Sequence, residues 1–114
     1  MKIERFEDIE TWKKAKDLTI LLYESFKSNN DFAFKNQMLK AAISIMNNIA
    51  EGFERQTNKE FKQFLYISKG SCGEVRSMLY IAKELNYIDE YKFESIFELS
   101  LTISRMLSGF IKKL

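Results

Sequence analysis

The side chains in this chain with the greatest chemical potential are two carboxylates, Glu51 and Glu74, and one thiol, Cys72. Glu51 lies in the run Asn47-Asn-Ile-Ala-Glu-Gly-Phe53, which places two amides, a carboxylate and a glycine inside an apolar helical stretch. Glu74 follows Gly70-Ser71-Cys72-Gly73. Two carboxylates meeting across helices could act as an acid–base pair or hold metal, but both roles lack companions here. The chain has no histidine, so the commonest general base and the Glu-x-x-His ligands of a di-iron bundle are absent. Without imidazole or thiolate partners, a Glu51–Glu74 pair is predicted to be structural, accepting hydrogen bonds from Asn48, Ser71 or Arg55.

The remaining chemistry reads the same way. Cys72 falls on the apolar side of its helix beside Leu65 and Leu79, the setting of a small hydrophobe rather than a nucleophile. Gly70 to Gly73 lack the lysine and spacing of a phosphate loop, so Gly70 and Gly73 are expected to permit close helix approach. Gly52 has the same expected use, because a glycine within a helix costs roughly 1 kcal/mol relative to alanine and needs a reason to be there. Asn48 and Glu51, three residues apart on one face, are placed to bond to neighbouring helices. No metal, no cofactor and no enzymatic activity are predicted.

A second pattern is cationic. Lys62, Lys69, Arg76 and Lys83 recur every seven residues, with Lys59 in register and Tyr66 and Tyr80 on the neighbouring column. Such a stripe could pair phosphates while tyrosines stack on bases. The plainer reading is a solvated helix face, with Glu60 and Glu84 screening its ends. Lys13, Lys14 and Lys16 form a weaker cluster, offset by Asp8, Glu10 and Asp17.

The elements that must position these residues follow from composition and period. The 114 residues contain no proline and four glycines, with 46% hydrophobic and 30% charged side chains and a net charge of +2. That suits one domain of long helices with short connections, residues 1–114, and leaves no strong global field for nucleic acid. The lone cysteine, the charged Met1–Phe6 segment and the lack of an apolar run near the roughly 18 residues of a membrane span predict a soluble cytoplasmic protein that does not enter membranes.

Four helices are predicted. The first runs from about Asp8 to Phe26 and is ended by Ser28-Asn29-Asn30-Asp31. The second runs from near Phe34 to about Arg55, with Met38, Ala42, Ile45, Ile49 and Gly52 on one stripe. Thr57 and Glu60 read as a capping box opening the third, which reaches about Leu85. Asp89 caps the fourth, with Phe93, Ile96, Ser100, Ile103, Leu107, Phe110 and Leu114 at three-four spacing. Short connections imply an all-α, antiparallel up-down four-helix bundle. The first and third helices carry more apolar residues than one core face needs, in Leu18-Thr-Ile-Leu-Leu-Tyr23 and in three columns between Phe61 and Leu85. That excess predicts self-association.

These residues together carry a family resemblance. The order Phe6-Glu-Asp-Ile9, Trp12-Lys-Lys-Ala15, Gln37, Asn48-Ile-Ala-Glu-Gly52, Lys59-Glu-Phe61, Phe64-Leu65, Ile67, Gly70-Ser71, Glu74, Ala82-Lys-Glu-Leu85 and Tyr87-Ile88 resembles the bacterial 23S rRNA intervening-sequence proteins across nearly the whole chain. The resemblance implies an up-down bundle assembling as a homopentamer, encoded in some bacteria within insertions of large-subunit ribosomal RNA genes. It also implies kinship to the accessory variability protein of diversity-generating retroelements, a pentameric bundle that binds nucleic acid and a reverse transcriptase. Relatives often carry two adjacent basic residues after the glutamine. This chain has Leu39-Lys40, so Lys40 alone carries over. The combined expectation is a non-catalytic oligomer binding RNA or DNA through Lys40, Lys59, Lys62, Lys69, Arg76 and Lys83. The alternative is a structural scaffold with a protein partner.

Overall fold

The structure, a computed structural model, describes residues 2–114. A single 3-10 turn, Phe6–Asp8, precedes four helices: α1 (Glu10–Phe26), α2 (Phe32–Phe53), α3 (Asn58–Glu84) and α4 (Glu90–Lys112). Each helix starts where local chemistry tells it to. Thr57 Oγ1 accepts from the Glu60 amide at 3.1 Å, and its hydroxyl donates to Glu60 Oε1 at 3.1 Å. Asp89 accepts from the Lys92 amide at 2.7 Å and opens α4. Asp31, predicted only to help end α1, instead caps α2 by accepting from the Phe34 amide at 3.2 Å, so α2 begins two residues early. α1 begins late because Ile9 is extended, and the turn before it is closed by the Ile9 amide donating to the Phe6 carbonyl.

The end of α3 shows why Asn86-Tyr87 is a turn. Asn86 takes φ 59°, a left-handed conformation that asparagine tolerates better than most residues. That places the Tyr87 amide 2.8 Å from the Ala82 carbonyl and the Asn86 amide 3.1 Å from the Lys83 carbonyl, satisfying the helix terminus.

The four helices pack in cyclic order, each against its two neighbours. Cross-helix contacts give the directions. Gln37 meets Glu74 while Gly52 lies against Phe61 and Phe64; Thr19 meets Ala42 while Phe26 meets Phe34; Lys83 meets Glu90 while Phe61 meets Phe110. In every pair later residues meet earlier ones, so the bundle is antiparallel and up-down, in a body 43 × 22 × 19 Å. Leu18, Leu22, Ile45, Ile49, Leu65, Leu79, Ile96 and Leu107 fill its axis, fully buried.

Three buried hydroxyls tie neighbouring helices through backbone carbonyls. Ser68 donates to Ile45 O at 2.8 Å and Ser100 to Cys72 O at 3.3 Å, while Thr19 bonds to Ala15 O at 2.8 Å and lies 3.3 Å from Ala42 O. Small polar residues are therefore accommodated in the core without unpaired groups at these points. No helix among the described residues is long and apolar enough to cross a membrane.

Candidate nucleic-acid interface

The cationic stripe lies along the α3/α4 border. A seven-residue repeat falls about 20° short of two full turns on a straight helix, so successive members rotate toward α4. Lys62, Lys69, Arg76 and Lys83 are all half-buried rather than fully solvated, which corrects the expectation of an ordinary solvated face. The rotation decides which of them can meet an outside partner. Arg76 donates to Ser100 Oγ at 3.2 Å. Lys83 pairs with Glu90 at 3.3 Å and stands 4.6 Å from the centre of the Phe93 ring. At the other end Lys62 and Lys69 have no carboxylate within 4 Å among the described residues, and Lys59 is exposed. Tyr66 is 60% exposed, whereas Tyr80 leans on Phe93 and Phe97 with centroids 5.6 and 5.5 Å away. The stripe is thus open at its amino-terminal half and occupied at its carboxy-terminal half.

Lys40 does not join it. It stands exposed on α2 and lines a groove between α1 and α2, together with Lys27 and Lys35. Those two lysines were missed by reading the sequence linearly. Their positions on either side of the Ser28–Asp31 connection were the available signal, since an antiparallel turn there brings them together. Of the weaker α1 cluster, Lys13 pairs with Glu10 at 3.2 Å and Lys16 sits over Trp12.

On its other flank α3 meets α2 through the predicted motif. A Cβ on Gly52 would lie 2.7 Å from Phe64 Cβ and 2.9 Å from Phe61 Cδ1, so only glycine fits without movement. Ser44 and Ser71 hydroxyls meet at 2.8 Å across the seam, and Gln37 Nε2 donates to Glu74 at 2.6 Å. Three expectations are corrected. Asn48 does not reach a neighbouring helix; its amide donates to Ser44 O and Oγ on its own helix at 2.8 and 3.0 Å. Glu51 does not reach a neighbouring helix either; it is exposed and pairs one turn on with Arg55, one of its predicted partners, at 3.7 Å, while Arg55 covers the Phe64 ring at 4.8 Å. Glu51 and Glu74 do not meet, because Glu74 pairs at Gln37, about four turns or about 20 Å along α2 from Glu51.

Gly70 also departs from expectation: a Cβ there would meet no atom of the chain within 4 Å, and one on Gly73 would meet only Arg76 Nη2 at 3.9 Å. Neither glycine serves a close approach inside the chain. Cys72 is fully buried and burial pushes its thiol up to about 12, so at neutral pH it is a packed apolar group rather than a thiolate. No group of three or more acidic or cysteine side chains among the described residues gathers as metal ligands would.

A family model described as 23S rRNA-intervening sequence protein matches residues 7–109. The bundle is also similar to the crystal structure of a protein of unknown function from the S23 ribosomal protein family of Bacteroides thetaiotaomicron VPI-5482. The TM-score is 0.84 at 24% identity, covering 90% of this chain and 98% of that one. At that identity the likeness speaks to the fold alone. No curated protein matches this chain.

Proposed function

The chain belongs to the 23S rRNA-intervening sequence protein family, and from that premise we propose that it is a non-catalytic, oligomeric, cytoplasmic bundle that binds RNA or DNA through α3. The observation that carries this reading is the open half of the stripe, where Lys62 and Lys69 lack carboxylate partners among the described residues and Tyr66 presents its ring beside them. Cations held by a rigid helix without internal neutralisation favour phosphates, and an exposed ring offers a face to a base. Because the protomer carries only +2, assembly matters: copies arranged around an axis concentrate a field that one copy does not.

The outer side of α3 supports assembly. Gly70, Gly73 and Ser77 follow one another at helical spacing and leave a shallow trough, beside which Tyr66, Ile67, Tyr80 and Ile81 are each 50–60% exposed. Two glycines within an exposed helix cost about 1 kcal/mol each relative to alanine. Nothing inside the chain uses the space they leave at Gly70. A second copy seated in the trough would use it, and a pentamer is the assembly the family resemblance favours. The exposed Ile67, Ile81 and Leu85 also favour a second reading, a scaffold that engages a protein partner and no nucleic acid.

Light scattering at micromolar concentration tests assembly: a mass several times 13.5 kDa is expected, and a monodisperse monomer refutes it. Titrating structured RNA and duplex DNA with the wild type and with Lys62→Glu/Lys69→Glu, at about 50 and about 200 mM salt, tests binding. Binding that is weakly sequence-dependent, falls steeply with salt and is lost on double reversal is expected. Absence of binding at low salt favours the scaffold, and equal binding by the variant refutes the role of the stripe.

A further inference from the structure

The groove between α1 and α2 has a different make-up from the α3 stripe. The connection after α1 folds back so that Lys35 Nζ lies 3.3 Å from the Lys27 carbonyl, and Lys40 follows on the same helix as Lys35. The three lysines surround a hollow of about 540 Å³, within the range of small-ligand pockets of about 300–1,000 Å³. Leu39 and Ile43 supply an apolar lining, and Tyr23 stands at one wall, 46% exposed. No carboxylate lines the hollow. Asp31, the acid nearest to Lys35 in the chain, is engaged elsewhere. One of its oxygens accepts from the Phe34 amide and the other from the Tyr87 hydroxyl at 2.7 Å. Three cations therefore share one concave site that no carboxylate lines, Lys35 also standing 5.2 Å from the centre of the Phe32 ring, beside an exposed tyrosine and two aliphatic side chains.

That combination selects for a ligand with several anionic groups and a flat apolar body. A phosphate alone would use the lysines and leave Tyr23 and Leu39 idle. A duplex would offer phosphates, but its bases are stacked inside and have no free face. A single strand offers both, because each unstacked base has a face and each linkage a charge. We infer that the α1/α2 groove is a binding site for single-stranded nucleic acid, seating a base against Tyr23 with the flanking phosphates on Lys27, Lys35 and Lys40. The site is separate from the α3 stripe, whose aromatic and cationic groups stand along a single helix on another side of the bundle. The two surfaces divide the ligand by form, the groove taking single strands and the stripe any phosphate backbone.

Fluorescence anisotropy with a labelled oligouridine of about ten nucleotides, against a hairpin duplex of the same charge, tests this at about 50 mM salt. The variants are Lys35→Glu/Lys40→Glu, Tyr23→Ala and Tyr23→Phe, each checked by circular dichroism for an unchanged helical melt, with Lys62→Glu/Lys69→Glu as the control for the other surface. Oligouridine binding is expected to weaken at least about tenfold in Lys35→Glu/Lys40→Glu and in Tyr23→Ala, to persist in Tyr23→Phe, and to crosslink at Tyr23 when the strand carries 4-thiouridine. Duplex binding is expected to change less than about threefold in the same variants. The inference is overturned if groove variants bind oligouridine as the wild type does, or if they lose duplex and single strand equally. It is overturned too if sedimentation with phosphatidylserine vesicles captures the protein through these lysines while oligouridine does not bind. Loss of all binding in Lys62→Glu/Lys69→Glu with no effect of the groove variants removes this site and leaves the α3 reading standing. The reverse pattern removes the α3 reading and leaves the groove.

Discussion

Both flanks of α3 carry polar side chains, yet they differ in where those side chains find partners. Toward α2 the polar groups close on the protein itself: Ser71 on Ser44, Glu74 on Gln37, and Ser68 on a backbone carbonyl. Toward α4 only the carboxy-terminal half closes, through Arg76 on Ser100 and Lys83 on Glu90. Hydroxyls are short and neutral, so two helices can approach and bury them once paired, while the Glu74–Gln37 bond closes at the exposed edge of the seam. Lysines are long and stay charged, and their heads are drawn to the edge of the interface while their stems cover apolar surface. Residue type alone therefore makes one flank an adhesive and leaves the other partly open to a ligand.

The largest effect expected from breaking this contrast is at Gly52. Leucine there would drive its side chain into Phe61 and the Cβ of Phe64, the latter fixed by its own helix. Gly52→Leu is expected to lower stability by at least about 1–3 kcal/mol, measured as a shift in urea midpoint at constant slope. An unchanged midpoint would mean that α2 and α3 do not need their close approach. The same overpacking on the α4 flank has no counterpart, because no glycine there faces a neighbour inside 3 Å.

How much of this could be read from the chain depends on the range of the interaction. Caps at Thr57 and Asp89 were legible because each involves residues three apart. Gly52 was legible because a glycine in an apolar helical stripe has few other uses. The partners of Asn48 and Glu51 were not. A side chain on a helix surface can bond back to its own previous turn or on to the next helix, and spacing is the same for both. The Lys27–Lys35–Lys40 groove was invisible for a related reason. Its residues belong to two helices and to no single period, and become neighbours only once the connection after Phe26 has turned back. The stripe was legible as a pattern but its burial was not, because the small lag of a heptad behind the helical turn is what carries it toward α4.

A smaller and opposite effect is expected at Gly70, on the outer surface between the two flanks. With no atom within 4 Å of an added Cβ, Gly70→Ala relieves the backbone entropy of an exposed helical glycine and is expected to stabilise the single chain by up to about 1 kcal/mol. If the trough seats a second copy, the same substitution should weaken association. Measuring the urea midpoint and the concentration dependence of the mass together separates the two. A gain in stability with unchanged assembly shows that the trough is not an interface.

The smallest effect lies at the end of the bundle where the connections after α1 and α3 meet. Asp31 accepts from the Tyr87 hydroxyl and the Phe34 amide, and those two bonds, the tyrosine's first, hold its carboxyl below its ordinary value of about 3.9. A carboxylate whose pKa is lowered in the fold contributes stability that is fully present above its unfolded value. That contribution fades as pH falls from about 3.9 through the lower folded value. Asp31→Asn keeps the N-cap through its one amide oxygen, turns an NH2 donor toward the Tyr87 hydroxyl in place of the second carboxylate oxygen, and removes the charge. The variant is therefore expected to unfold slightly more easily than the wild type at pH 6 and to lose that deficit as both are titrated below about pH 3.9, with urea midpoints followed across the range. Because Asp31 is only half-buried, the difference should be small and should shrink further with added salt. A deficit that stays constant down to pH 2.5 would show that the amide fails as a cap. No deficit at any pH would show that the connections are held by the Phe34–Tyr87 ring contact, 5.4 Å between centroids, and not by the charge.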